Sequence, residues 1–208
     1  MNAETQVIEP LSLASGADLP NAASGRFWRL DSGALRLHST ERDATSSLLS
    51  LALPGDLIGV ERALGLAYPH SGYAITPSTL TAVSVADYDI AELMTQVYLV
   101  SRQRCADMVA LRSGSVPNRV RFLLLLLADH QDSTQRASNN VLPSLRDMAT
   151  MVGSTVETVS RVLASLRQFD VLHERKAHGG KLNISHLRHF HFLPGITSSS
   201  LRVKQHQL

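Results

Sequence analysis

The segment Leu145–Leu166 holds the residues whose types and spacing point most directly to a function. A helix-turn-helix needs a small residue where its helices cross, a flexible one in the turn, and apolar residues that seat the second helix on the first. Ala149 fits the crossing and Gly153, four residues later, fits the turn. Val159 and Val162 follow at ten and thirteen, with Met148 and Val152 packing from the first helix. Ser154 with Glu157 three later has capping-box spacing, and Thr155 is a second candidate cap. The second helix is therefore expected to start at about Thr155. That start turns Val156, Glu157, Ser160 and Arg161 toward solvent at the helix N-terminus, the end that reaches base edges in the major groove. A plain pair of antiparallel helices is the bland alternative.

Beyond that helix, Val171–Arg175, Gly179-Gly180 and Leu182–Ile184 read as strand, tight turn and strand, the pattern of a hairpin wing. Lys176, His178 and Lys181 at its tip are placed for phosphate contacts, as are Ser154, Thr155 and Thr158 around the start of the second helix. The charge distribution agrees. Residues 140–208 hold nine Lys/Arg against four Asp/Glu, a balance of +5, whereas residues 1–139 hold eleven Arg against fourteen acids, a balance of −3. A basic segment joined to a mildly acidic one suggests that the C-terminal end meets a polyanion, although an ordinary solvated surface shows the same signal.

The elements that must carry this reader come earlier in the chain. Residues 1–24, rich in Ala, Ser, Gly and Asn, read as a weakly ordered arm with room for one short strand. Residues 25–90 break into short alternating runs divided by turns at Asp31-Ser32-Gly33, Pro54-Gly55-Asp56 and Pro77-Ser78, as in a small antiparallel β unit. From there the period changes. Met94, Val97, Tyr98, Ser101, Cys105, Met108 and Val109 follow the helical repeat, which predicts a long helix over 91–113 with one narrow apolar seam. Such a seam needs a partner, either the β unit of the same chain or the same helix in a second chain; in the second case Met94, Val97, Ser101, Cys105 and Met108 are the expected contacts. Ser113-Gly114-Ser115 ends this helix and Pro117 opens another, whose Val120, Leu123, Leu124 and Leu127 face a core. Residues 115–208 are expected to form the winged helix-turn-helix domain.

The stretch Pro143–Ile184 resembles the DNA-binding domain of the CRP/FNR superfamily, named for the cyclic AMP receptor protein and the oxygen-sensing regulator of fumarate and nitrate reduction. Leu53-Pro54-Gly55-Asp56-Leu57-Ile58-Gly59 resembles a turn of that family's β-roll sensor domain, and Leu30-Asp31-Ser32-Gly33 an earlier one. The fold implied is α+β: a small cyclic-nucleotide-binding-like antiparallel β-roll, a long dimerisation helix and a C-terminal winged helix-turn-helix. Val156-Glu157-Thr158-Val159-Ser160-Arg161 is similar to the FNR branch, with its Glu-x-x-Ser-Arg. The resemblance implies that Glu157 accepts a hydrogen bond from a cytosine amino group and Arg161 donates to guanine or a nearby phosphate. Val156 and Ser160 would meet thymine methyls and neighbouring edges. It also implies a homodimer on an inverted repeat, TTGAT facing ATCAA, an activator's role, and RNA polymerase as a partner.

The chain departs from the family's better-known members in three respects. One cysteine, Cys105, cannot hold an iron–sulfur cluster. His70-Ser71 stands where cyclic-nucleotide binders carry Arg-Ser or Arg-Thr, and Glu61 is only loosely placed, so cyclic AMP is not expected. The β unit also looks short for a full roll, as though its first strands were lost; the effector stays open. No cofactor is expected.

The remaining features narrow the class. No phosphate-cradling glycine loop, nucleophile elbow or metal motif occurs, so the chain is not expected to be an enzyme. His186, His189 and His191 read as solvated or phosphate-facing rather than ligating. The longest apolar run, Phe122–Ala128, is too short for a membrane span, and Met1–Pro10 lacks the charge pattern of a secretory signal. A cytoplasmic location is expected. The reading from another class is a sensor or interaction protein whose helix-turn-helix serves protein contacts only.

Overall fold

A computed structural model describes residues 9–39, 48–66, 70–130, 140–175 and 179–190. It divides into two compact units, residues 1–106 and 107–208.

The first unit is built on two antiparallel four-stranded sheets. One contains β1 (Leu11–Leu13), β3 (Arg26–Ser32), β6 (Leu57–Ile58) and β8 (Ser78–Ser84), in the order β1-β8-β3-β6. The other contains β2 (Asp18–Leu19), β4 (Leu35–Ser39), β5 (Leu48–Ala52) and β7 (His70–Ala74), in the order β2-β7-β4-β5. Seven of the eight strands each send one buried residue into a shared core: Leu13, Leu80, Leu30 and Ile58 from the first sheet, Leu35, Ala52 and Ala74 from the second. Strand alternation allows this, because successive side chains point to opposite faces. On the outside of the pleat, Arg36 lies over the ring of its cross-strand neighbour Tyr73, 4.3 Å from the centroid.

The sharp turn between β3 and β4 depends on Gly33. Its φ is +87°, and a Cβ there would lie 2.2 Å from Ser78 Oγ and 2.3 Å from the Pro77 carbonyl oxygen. A side chain would face both a left-handed backbone and a backbone clash.

Two expectations are corrected here. Residues 1–24 are not simply a loose arm, since β1 pairs with β8 and β2 with β7. Nor are the roll's first strands lost; they are three and two residues long, too short to show an alternation among Ala, Ser and Gly.

The short helix α1 (Val60–Ala63) and a single 3₁₀ turn at Val85–Asp87 lead to α2 (Ile90–Arg112). A second cluster forms from Phe27, Val60 and Leu93, with Val97 and Tyr88 packed against it. Leu93, Val97, Val100 and Arg104 recur at helical spacing, so one face of α2 serves its own chain. Val97 belongs to that face. On a 3.6-residue repeat, Met94, Tyr98, Ser101 and Cys105 lie roughly 100° around the helix from it. This second face is open: Tyr98 is 62% exposed, and Met94, Cys105 and Val109 are also exposed.

In the second unit, α3 (Val116–Asp129) buries Val120, Leu123, Leu124, Leu127 and Ala128 along one stripe. Then come β9 (Asn140–Val141), α4 (Leu145–Val152), α5 (Val156–Gln168), the hairpin β10 (Leu172–Arg175) and β11 (Gly179–Leu182), and α6 (Ile184–His189). The sheet order is β10-β11-β9. Gly179 and Gly180 pair with Arg175 and Glu174 inside the hairpin rather than forming its turn. Ile184 opens α6 instead of ending a strand, because Asn183 caps that helix by accepting from the His186 amide.

α5 ends in a Schellman motif. The Asp170 amide donates to the Arg167 carbonyl and the Val171 amide to the Leu166 carbonyl, with Asp170 at φ +55° where glycine is usual. A β-branched residue tolerates that backbone poorly. Asp170→Val is expected to cost about 1–2 kcal/mol, read as a lower urea midpoint with unchanged slope; a neutral substitution would show that the backbone relaxes there.

Candidate nucleic-acid interface

The helix-turn-helix follows from a few local constraints. Ser144 caps α4 reciprocally: its Oγ accepts from the Asp147 amide at 3.1 Å and donates to Asp147 Oδ2 at 2.6 Å. The helix ends at Gly153 in the left-handed region, φ 60° and ψ 56°. A Cβ there would also lie 2.6 Å from Arg112 Nη1, the end of a flexible side chain that can move aside, so it is the left-handed backbone that calls for glycine. Met148, Ala149 and Val152 of α4 and Val159 and Val162 of α5 are all buried, at the offsets their sequence spacing predicts.

The cap of α5 differs from the expected box. The Ser154 amide donates to the Ala149 carbonyl and so belongs to the turn. Thr155, extended at φ −89° and ψ 155°, is the residue that caps, accepting from the Thr158 amide at 3.2 Å. Its hydroxyl also lies 3.0 Å from Thr158 Oγ1. With Thr158 as the capping partner, Glu157 need not reach back to the cap's own amide.

Glu157 is fully exposed in the first turn of α5. Its carboxyl is held below the usual glutamate range, chiefly by its own backbone N–H, then by the Thr155 hydroxyl, with Arg161 one turn on adding attraction. It is therefore an ionised acceptor at neutral pH. Val156 is 39% exposed, Ser160 half-buried and Arg161 exposed. The first two turns of α5 thus present an apolar residue, an acceptor, a hydroxyl and a guanidinium, while the opposite face is locked into the core.

Three arginines support the motif in ways sequence reasoning missed. Arg112 Nη2 donates to the Thr150 carbonyl at 3.0 Å, and Arg119 Nη1 to the Val152 carbonyl at 2.6 Å. Together they satisfy carbonyls that the end of α4 leaves without helical partners. Arg121 donates to the carbonyls of Leu187 and Arg188 at the end of α6. The only sequence signal was a basic residue at the close of α2 and two in the first turns of α3.

At the wing, Lys181 stands opposite His173 in the hairpin register. Lys176 and His178 lie outside the described residues, as does His191. His186 meets the Phe190 ring edge-on at 6.3 Å, in keeping with a packed rather than a ligating histidine. Among the described residues, no group of His, Cys, Asp or Glu is placed to hold a metal, and no helix is long and apolar enough to cross a membrane.

The first unit contains a cavity of about 320 Å³ lined by Leu37, Leu51, Glu61, His70 and Arg104 among others. Ser71, the neighbour of His70, is committed to His38, with 2.7 Å between Oγ and Nε2. Arg104 is gripped by Asp56 in a bidentate pair, 2.7 Å from Nε to Oδ2 and 3.0 Å from Nη2 to Oδ1. Only 11% and 8% of these two side chains is exposed. Asp56 Oδ2 also accepts from the Leu53 amide at 2.9 Å, closing the Pro54-Gly55 turn.

A β-roll, a long helix and a winged helix-turn-helix together define a transcription regulator rather than an enzyme. Residues 118–189 match the Crp-like helix-turn-helix domain. The transcriptional regulator LdrP of Thermus thermophilus is 30% identical over 146 residues, 68% of this chain and 75% of that protein. Two solved structures share the fold. A CRP-family transcriptional regulator, also of Thermus thermophilus, has a TM-score of 0.64 at 24% identity, covering 86% of this chain and 95% of that one. FixK2 of Bradyrhizobium japonicum has a TM-score of 0.62 at 23% identity, covering 88% and 96%. The chain belongs to the CRP/FNR family of transcription regulators.

Proposed function

We propose that this protein binds duplex DNA as a homodimer and reads an FNR-like inverted repeat, TTGAT facing ATCAA, through the N-terminal turns of α5. The observation that carries this reading is the joint exposure of Val156, Glu157, Ser160 and Arg161 on one face of a helix whose other face is buried. Glu157, ionised and on the open face, suits a cytosine amino group; Arg161 suits guanine O6 and N7; Val156 suits a thymine methyl. Ser154, Thr155, Thr158 and Lys181, together with Lys176 and His178, would hold phosphates and fix register without reading sequence. Such a protein would act in the cytoplasm and recruit RNA polymerase as an activator.

The test is fluorescence anisotropy of the effector-free protein on a TTGAT/ATCAA duplex, a CRP-type duplex and a scrambled one at fixed salt. Selective, steeply salt-dependent binding to the first is expected. Equal weak binding to all three would remove the FNR-like assignment, and no salt-dependent binding at all would favour a helix-turn-helix that contacts protein. Cyclic AMP is not expected to alter the result, because Arg104 in the roll's cavity is already engaged by Asp56.

The dimer is supported by an apolar exposure concentrated on one element. Ile90, Met94, Tyr98, Leu99 and Val109 are five of the eight exposed large hydrophobic residues among the described residues, and all five lie on α2. Such clustering marks an interaction surface. Met94, Ser101, Cys105 and Met108 keep their proposed places on the seam, with Tyr98 and Val109 in place of Val97. Two measurements check it. Tyr98→Glu should shift the sedimenting species from dimer to monomer while leaving each chain folded. Mild oxidation should cross-link wild-type chains through Cys105 across the two-fold axis. A dimer that survived the charge and gave no cross-link would place the interface elsewhere.

A further inference from the structure

The roll carries a second cavity, of about 250 Å³, on the side where the chain enters β3 and α1 begins. It shares a wall with the first cavity through Ile58, Gly59 and His70. The two differ in charge. The cavity beside α2 has Arg104 paired with Asp56, and Glu61 also lines it. The second is lined by two guanidinium groups, Arg26 from β3 and Arg62 from α1, and by no aspartate or glutamate. Among the described residues neither of these arginines takes part in an ion pair.

A concave surface lined by one sign of charge, with protein on its walls, concentrates the field and attracts the opposite ion. Each guanidinium brings five donors in a planar fork that matches a carboxylate or phosphate. Trp28 supplies the apolar side of the same cavity. Its indole N–H is already committed to the Pro20 carbonyl at 2.8 Å, so it offers the cavity ring surface rather than a donor. Gly72, also on the lining, could not gain even a methyl without pressing on Leu19, 3.0 Å away. The volume is small beside ordinary ligand pockets of about 300–1,000 Å³, which limits the occupant to metabolite size.

We propose that this cavity binds a small organic anion, its carboxylate or phosphate held by Arg26 and Arg62 and its apolar body laid against Trp28. The site is independent of how α5 reads DNA, and it would give the sensor unit a ligand chemistry that the Asp56-occupied cavity does not offer.

Trp28 is the chain's one tryptophan, so its fluorescence reports directly on the cavity. The full-length protein is titrated with phenyl phosphate, benzoate, inorganic phosphate and, as the cationic control, benzylammonium. A saturable change with phenyl phosphate or benzoate in the millimolar range or tighter is expected, displaced by inorganic phosphate where the phosphate head group is the one preferred, and absent with benzylammonium. A preference between phenyl phosphate and benzoate identifies the head group. The Arg26→Gln/Arg62→Gln variant should weaken binding at least tenfold with an unchanged melting temperature; if that pair does not fold, Arg62→Gln alone, at an exposed side chain, carries the comparison. No saturable response to either aromatic anion, an equal response to benzylammonium, or full affinity in the folded variant would overturn the proposal.

Discussion

Arg161→Ala is expected to erase most of the protein's preference for its half-site while leaving the dimer and the fold intact. Arg161 is exposed, and its side chain supports nothing in the core of the second unit. A good bidentate contact to a base is worth about 1–3 kcal/mol of discrimination. On the proposed two-fold site the contact is made twice, so the cognate-to-scrambled ratio should fall by roughly thirty- to twenty-thousandfold. Anisotropy titrations of both proteins on the two duplexes at one salt concentration give that ratio. Weaker binding with an unchanged ratio would make Arg161 a phosphate contact, and no change would remove it from the interface. Glu157→Ala should relax selectivity at a neighbouring base pair instead, because it deletes an ionised acceptor.

Asp56→Ala is expected to be the most destabilising of the substitutions considered. It strands the Arg104 guanidinium in a site that leaves 11% of that side chain exposed, and it removes the acceptor of the Leu53 amide. Breaking a buried pair by deleting one partner typically costs about 3–5 kcal/mol. For a chain of this size that corresponds to roughly 6–20 °C in melting temperature. Replacing both partners with apolar residues of similar volume, as in Asp56→Leu/Arg104→Met, should recover much of the loss, since the desolvation of two charges disappears with them. Urea unfolding followed through Trp28, which lies in the same unit, measures both. A single-variant cost below about 1 kcal/mol would mean the pair behaves as a solvated surface contact.

The two expectations rest on features that were very unequally legible. The α4–α5 motif could be read because it is local: Ala149, Gly153, Val159 and Val162 sit within fourteen residues, and each offset corresponds to a steric need. The proposed recognition residues follow from those offsets, since fixing the buried face of α5 fixes the open one. The cap of α5 stayed open between Ser154 and Thr155 because the two are chemically alike, and only the path of the turn decides for Thr155. The Asp56–Arg104 pair lies across 48 residues with no periodicity to connect its members. The seam met a related difficulty: α2 is apolar on two faces, and a linear pattern does not say which face the chain keeps for itself. Arg112 and Arg119 bind backbone carbonyls, which leave no trace in side-chain spacing.

The brevity that hid β1 and β2 in the sequence bears on how the protein behaves in concentrated solution. Of the four outer strands of the two sheets, β1, β6 and β2 are three, two and two residues long. An exposed strand edge is a row of unused donors and acceptors that a second molecule can extend. Here most of those rows are shorter than the five or six residues typical of a strand, so little register is available for a stray chain to copy. Self-association through the sheets is thereby discouraged, so a dimer of the proposed kind would have to form elsewhere, and the apolar face of α2 is the proposed place.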